Sequence, residues 1–282
     1  MIFVSYLYLD REWNGVLLVV ESDFLSEVHE ICVECARNAG EYLMRRLSKR
    51  DLKINAHSQH DVKLDVDVET EQLIKSIIKR RFPDHGFICE ESGRENIQSE
   101  YNWVIDPLDG TVNFSKGIPH FCTSIAFKSG PRCLVGVVFD PAKGELFSAI
   151  HGIGATLNNK PIQRTPIRRL EEAVIVMGYF KSGSLDEGIR IFEQLTHRVK
   201  KMRFFGSAAL DLCYLACGRV NAYMQHCLNE WDIAAAALIA ELCGVEIEIK
   251  EAGSMLNVIG ADREIFASFK SIIESEKDKV SD

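Results

Sequence analysis

Long apolar runs are missing from this chain. Although 46% of its 282 residues are hydrophobic, the apolar opening segment 1–20 is broken by Asp10-Arg11-Glu12. No stretch approaches the ~20 uninterrupted apolar residues that a helix needs to cross a bilayer. Nor does a basic segment lead into a small-residue cleavage site of the kind that marks a signal peptide. A cytoplasmic protein without a membrane partner is therefore expected. An excess of positive charge is also missing: 33 Lys and Arg against 41 Asp and Glu leave a net charge of −8. Nucleic acid binds basic faces, so no nucleic-acid partner is expected. Internal repeats and low-complexity segments are absent as well. Cysteine is present but unpatterned. The nine residues, an odd number scattered through apolar segments, exclude a small disulfide scaffold and read as reduced core thiols. That holds for Cys32 and Cys35, which lie in a helical pattern with no second pair nearby.

The length allows one large domain or two. Residues 1–22 form an extension to which no role is assigned, in which Asn14-Gly15 has the composition of a hairpin turn. Ser22-Asp23 reads as a helix cap, followed by Phe24, Val28, Cys32, Cys35, Ala39, Tyr42, Leu43 and Leu47 at helical spacing. The polar stretch 51–67 predicts a loop or irregular hairpin, in which His57 and His60 are taken as solvated. A second helix is expected from about Asp67, its candidate cap, to Phe82, where Pro83 stops it. From 121 to 162 the pattern turns to period-two runs split by Gly130-Pro131 and by Asp140-Pro141, the mark of an antiparallel meander. The polar segment 163–169 is the expected boundary between a domain at 23–165, an antiparallel sheet with helices on one side, and a domain at 166–282. Beyond residue 170 short apolar runs alternate with helical patterns, which predicts an α/β layer with a partly parallel sheet.

The chemistry concentrates in Trp103-Val104-Ile105-Asp106-Pro107-Leu108-Asp109-Gly110-Thr111. An apolar strand runs into two carboxylates three residues apart. Pro107 fixes φ and withholds an N–H, so the strand is expected to stop at Asp106. Gly110 permits a tight turn or a close backbone approach, and Thr111 offers a hydroxyl and an N–H at a possible helix start. Hard oxygen donors beside such a turn suit Mg²⁺ and a phosphoryl group. Taken alone, Asp-Pro-x-Asp-Gly is equally an ordinary Asx turn. Two further segments share the design. Glu90-Glu91-Ser92 follows the short apolar run 86–89, and Glu230-Trp231-Asp232 precedes an Ala-rich helical run, where a carboxylate near the helix start is favoured.

Together these three blocks, with Asn113-Phe114 after the second and Ala234 after the third, resemble the signature blocks of the inositol monophosphatase family. That family sits among the Mg²⁺-dependent, lithium-sensitive phosphatases that include fructose-1,6-bisphosphatases. The resemblance runs from about residue 23 to about residue 275. It implies an α+β fold, a five-layered α-β-α-β-α sandwich with the active site between its halves, and a homodimer. It also implies a phosphomonoesterase acting on inositol monophosphate with two to three Mg²⁺ ions. Glu90, Asp106 and the Leu108 carbonyl would hold one ion, Asp106, Asp109 and Asp232 a second, and Glu90 with Asp67 a third. Thr111, hydrogen-bonded to Asp67, would position the attacking water. The N–H groups of Gly110 and Thr111 would take phosphate oxygens. The block Gly206-Ser207-Ala208-Ala209 resembles the one that contacts the inositol ring, as do Asp109 and Asp232; the bland reading is a small-residue helix start. Gln225 departs from the pattern, standing where inositol-preferring members commonly carry glutamate, and leaves room for fructose 1,6-bisphosphate or another sugar phosphate. A non-catalytic metal-binding assembly protein on the same fold would be expected to lack a ligand, and each block here is complete.

Overall fold

The computed structural model describes residues 17–49, 54–57, 62–178 and 185–277. The hairpin expected at Asn14-Gly15, like His60, lies outside them. The chain begins with α1 (Leu17–Lys49), a two-stranded hairpin of β1 (Ile54–His57) and β2 (Val62–Leu64), and α2 (Asp65–Arg81). Then come β3 (Gly86–Cys89), β4 (Gly93–Glu95), β5 (Tyr101–Asp109), the short α3 (Thr111–Lys116), and the meander β6 (Cys122–Ser129), β7 (Arg132–Asp140), β8 (Glu145–Ile150), β9 (Gly154–Leu157) and β10 (Lys160–Pro161). The remainder is β11 (Val174–Met177), α4 (Leu185–Thr196), β12 (Lys201–Arg203), α5 (Ala208–Ala216), β13 (Ala222–Leu228), α6 (Glu230–Leu242), β14 (Val245–Ala252), β15 (Met255–Asp262) and α7 (Arg263–Lys277).

Apart from the β1–β2 hairpin, the strands of the described residues form two sheets. One has eight strands in the order β10-β9-β8-β7-β6-β5-β3-β4, antiparallel except for the β3–β5 pair. The other has five, β12-β11-β13-β15-β14, parallel at β12-β11-β13 and antiparallel beyond. Helices α1 and α2 cover one face of the large sheet, α5 and α6 lie between the sheets, and α4 and α7 cover the outer face of the small sheet. The result is the expected five-layered α-β-α-β-α sandwich. One difference is that the large sheet carries helices on both faces, because α5 and α6 from the later part of the chain serve both sheets. Among the described residues no helix is long and apolar enough to cross a membrane.

Two helix starts differ from the sequence reading. Helix α1 begins at Leu17 rather than at a Ser22-Asp23 cap. A cap contributes only about 1 kcal/mol, and no Gly or Pro between Leu17 and Asp23 interrupts the helix. Helix α2 begins at Asp65, which makes Asp67 its third residue rather than its cap. The expected buried face of α1 does form, through Val28, Cys32, Cys35, Ala39 and Leu43. All nine cysteines are free, and Cys32 and Cys35 are core residues.

One packing detail decides where the site ends up. Ala126, Gly136, Ala149 and Ala155 are consecutive cross-strand neighbours on β6 to β9. This row of small residues receives the Ala-rich α6. A Cβ at Gly136 would lie 2.7 Å from the Ala235 carbonyl oxygen and 3.0 Å from its Cα, so helix and sheet touch backbone to backbone. Gly136→Val should therefore lower the unfolding free energy by about 1–3 kcal/mol through overpacking. A urea midpoint equal to the parent's would show that α6 is not seated on this row.

Candidate active site

Strand β5 does not stop at Asp106; it runs through Pro107 to Asp109. Its pairing with β6 slips between Asp106 and Asp109. Proline is tolerated at such a bulge because no ladder N–H is required of it. The slip leaves the Pro107 carbonyl to accept the Thr123 hydroxyl at 2.9 Å, while Asp106 Oδ1 accepts the Leu108 N–H at 3.0 Å. Gly110 follows with φ of 91°, and a Cβ there would meet the His120 carbonyl oxygen at 2.9 Å. Only glycine fits both demands. Leu108 and Phe114 are buried with Leu43, Leu64, Val66 and Phe121 in a small apolar cluster that anchors the turn.

The other carboxylates arrive from separate elements. Glu90 leaves the end of β3, its N–H held by the Ile105 carbonyl at 3.2 Å, one residue from Asp106. Asp67 and Asp232 occupy the same position in two different helices, the third residue of α2 and of α6. Each turns one oxygen back to a main-chain N–H at the helix start: Asp67 Oδ2 to Leu64 at 2.8 Å and Asp232 Oδ2 to Asn229 at 2.6 Å. Asp109 is held from the far side. Its Oδ2 accepts the Ser207 hydroxyl at 2.6 Å and the Ala209 N–H at 2.7 Å, both from the start of α5.

The electrostatics show that these groups share one environment. Burial pushes the Glu90 carboxyl up to about 8, with the charge of Asp232 the next cause and those of Glu91 and Asp67 adding to it. Asp106 is pushed well above the carboxylate range by burial, then by Glu90, Asp109 and Asp232. Glu90 and Asp106 lie close enough for each to act on the other's ionisation. Asp109 is raised by burial, against the opposing pull of Ser207, Ala209 and His120. The leading charges felt by Asp106 are thus all negative. Among the described residues no three His, Cys, Asp or Glu side chains are closed around one point tightly enough to hold an ion as they stand. All-oxygen donors, buried and with no lysine or arginine among their leading influences, are the set that hard divalent cations match.

The remaining predicted residues fall around this cluster. The Thr111 hydroxyl donates to the Leu108 carbonyl at 3.0 Å rather than to Asp67 as expected; the tight turn at Gly110 folds it back onto its own strand. Ser207 and Ala208 are buried at the α5 start, and the Ser207 hydroxyl is committed to Asp109. Gln225 lies on β13 with its Oε1 accepting the Tyr223 hydroxyl at 2.9 Å, close under Gly178, where a Cβ would come within 2.0 Å of that oxygen. A cavity of about 470 Å³ is lined by Lys128, Trp231, Leu238 and Met255 among others and by none of the predicted carboxylates.

Four residues, Asn113, His120, Asp211 and Glu71, make supporting contacts that the sequence did not reveal. Asn113 Nδ2 donates to the His120 carbonyl at 2.8 Å and the Phe205 carbonyl at 2.7 Å, tying the turn to the approach to α5. His120 pairs with buried Asp211 at 3.0 Å. Burial pushes Asp211 up to about 6 against the pull of that histidine. Glu71, buried on α2, accepts the N–H groups of Glu91 and Ser92. Its position four residues after Asp67, on the same helix face, was the signal available.

Comparison with known proteins agrees with this arrangement. The model of the inositol monophosphatase family matches residues 25–277. A Nus factor SuhB of Pasteurella multocida is 41% identical over 218 residues, which cover 76% of this chain and 82% of that protein. An inositol-1-monophosphatase of Synechocystis is 41% identical over 187 residues, 65% of each chain. The crystal structure of the extragenic suppressor protein suhB of Bartonella henselae superposes with a TM-score of 0.83 at 31% identity, covering 88% of this chain and 98% of that one. With the family model matching nearly its whole length, the chain belongs to the inositol monophosphatase family.

Proposed function

We propose that this protein is a Mg²⁺-dependent phosphomonoesterase that hydrolyses inositol monophosphate to inositol and phosphate. The observation that carries the reading is the set of buried, mutually repelling carboxylates, Glu90, Asp106 and Asp109 with Asp232, delivered by separate elements to one electrostatic environment. Glu90, Asp106 and the Leu108 carbonyl are the donors for one cation, Asp106, Asp109 and Asp232 for a second, and Glu90 with Asp67 for a third. When bound, such cations neutralise phosphoryl charge and lower the pKa of water.

The chain's own groups supply orientation. The Thr111 hydroxyl has its proton committed to Leu108, so what it offers a water is a lone pair, which aligns that water through one of its hydrogens. The N–H groups of Gly110 and Thr111, at the start of α3, are the donors for phosphate oxygens. The Ser207 and Ala209 donors saturate one oxygen of Asp109 and leave the other for its ligand role. Gln225, its carbonyl oxygen taken by Tyr223, offers N–H donors. That observation favours, as a second reading, a substrate carrying an acceptor at this position, such as the second phosphate of fructose 1,6-bisphosphate. Relatives carry the name Nus factor; a non-catalytic assembly role would not require the complete carboxylate set kept here.

A homodimer belongs to the same proposal. Leu185, Ile189 and Phe192 form an exposed stripe on α4, and Phe204, 58% exposed, lies 5.7 Å from Phe192 ring to ring. An apolar patch of this kind is a contact surface, and a second copy of the chain is the proposed partner.

Three outcomes are expected. A phosphate-release panel with inositol 1-phosphate and fructose 1,6-bisphosphate should show Mg²⁺-dependent turnover. Asp106→Asn and Asp109→Asn should lower it by more than the ~100-fold that loss of an outer-shell partner costs, with circular dichroism unchanged; full activity in either variant refutes the ligand assignment. The second outcome concerns pH. Glu90 sits at about 8 against an ordinary 4.5, so between those limits the folded state keeps a proton that the unfolded state has released. Stability of the metal-free protein is therefore lost as pH rises through the folded value. Its Tm should fall from about pH 5 to about pH 8, and both Mg²⁺ and Glu90→Gln should flatten the slope; a rising Tm contradicts the assignment. Third, sedimentation should report a dimer that Phe192→Ser weakens, and a parent monomer at micromolar concentration removes the dimer.

A further inference from the structure

Helix α2 carries a stripe at four-residue spacing, Asp67, Glu71, Lys75 and Lys79, and every member after the first bonds the segment that follows Glu90. Glu71 Oε2 accepts the Glu91 N–H at 2.8 Å and its Oε1 accepts the Ser92 N–H at 3.0 Å. Lys75 Nζ donates to the Ser92 hydroxyl at 2.9 Å and to Glu95 at 2.8 Å, and Lys79 Nζ donates to Glu95 at 2.6 Å. The pattern is a ladder that fastens one helix face to one loop.

Resting on the phosphatase reading above, we propose that Glu71 is a positioning residue for the Glu90 carboxylate and, through it, sets the affinity of the site for its divalent cation. Glu90 is the one residue between two anchors. On its N-terminal side the backbone is tied to β5 by its own N–H to Ile105 at 3.2 Å; on its C-terminal side the next two N–H groups converge on Glu71. With both anchors in place the Glu90 Cα is fixed relative to Asp106, which follows Ile105. Glu71 itself is 2% exposed. Placing one more carboxylate beside an acidic cluster is unfavourable, and a fold that only needed to bury this helix face would carry an apolar residue there. Two converging N–H donors, however, call for two acceptor oxygens on one side chain. A carboxylate provides them; an amide provides one oxygen and turns its NH₂ towards the other donor. The same helix turn carries Asp67, whose charge reaches Glu90, so α2 delivers one carboxylate to the cluster and steadies another.

The test compares the full-length parent with Glu71→Ala, Glu71→Gln and, as a control on the same helix, Glu69→Gln, whose carboxylate pairs with Arg46 instead. Two quantities are measured: Mn²⁺ binding by calorimetry without substrate, and phosphate release from inositol 1-phosphate as a function of Mg²⁺. The expected result is Mn²⁺ affinity about 10–100-fold weaker in Glu71→Ala and less so in Glu71→Gln. The half-activating Mg²⁺ concentration should rise in parallel, with kcat at saturating Mg²⁺ near the parent value and the control unchanged. Should Glu71→Ala fail to fold, Glu71→Gln carries the comparison. Parent-like Mn²⁺ affinity in a folded Glu71 variant, even one with a lowered Tm, overturns the proposal and leaves the phosphatase reading intact. A parent that neither binds Mn²⁺ nor releases phosphate overturns both.

Discussion

Repulsion between buried carboxylates is the constraint to which the rest of this structure answers. Asp106 and Asp109 are brought by one bulged strand to within each other's field, with Glu90 and Asp232 alongside. Burial and like charge together push protons onto groups that would be ionised in water. Isolated carboxylates in such surroundings are costly. The fold meets that cost with donors from the backbone and from helix starts: Leu108 for Asp106, Ala209 and Ser207 for Asp109, Leu64 for Asp67 and Asn229 for Asp232. Each uses at least one oxygen of its carboxylate and orients the group without neutralising it.

The layering follows from that requirement. Asp232 reaches the cluster only because α6 sinks onto the row Ala126, Gly136, Ala149 and Ala155, where no side chain holds it off. Asp109 is oriented only because α5, from the later part of the chain, presents its first turn to the end of β5. The middle layer therefore has two roles, closing the cores of both sheets and carrying carboxylates or their supports into the seam. Asn113, reaching from α3 to the Phe205 carbonyl, and His120, pairing with Asp211, add two more ties across the same seam.

Much of this was legible in the sequence, for identifiable reasons. Periodicity placed the meander and the alternating second half, because burial on a sheet or a helix face imposes its period directly on the apolar residues. The three acidic blocks identified the carboxylates. Local competition was less legible. Proline at 107 reads as a strand terminator, yet the β5–β6 register slips there and the strand continues to Asp109. Asp67 reads as a cap and is instead the third residue of α2, capping backwards. Thr111 was expected to bond Asp67, but the turn at Gly110 brings the Leu108 carbonyl closer. Pairings such as His120 with Asp211, 91 residues apart, leave no local trace, since neither residue is unusual for its own element.

The second half of the chain fixes a further polar group by the same kind of pairing. Tyr223 and Gln225 project from the same face of β13, two residues apart, and the tyrosine hydroxyl takes the glutamine's oxygen. Had a carboxylate stood at 225, one oxygen would have answered Tyr223 and the other would have remained to accept from an alcohol. With an amide, the group left over is a donor. A single change of side chain thus inverts the polarity of the group left over at 225 while leaving the carboxylate cluster as it is. The carboxylate cluster and Gln225 rest on different elements of this fold, so the second can change while the first is kept.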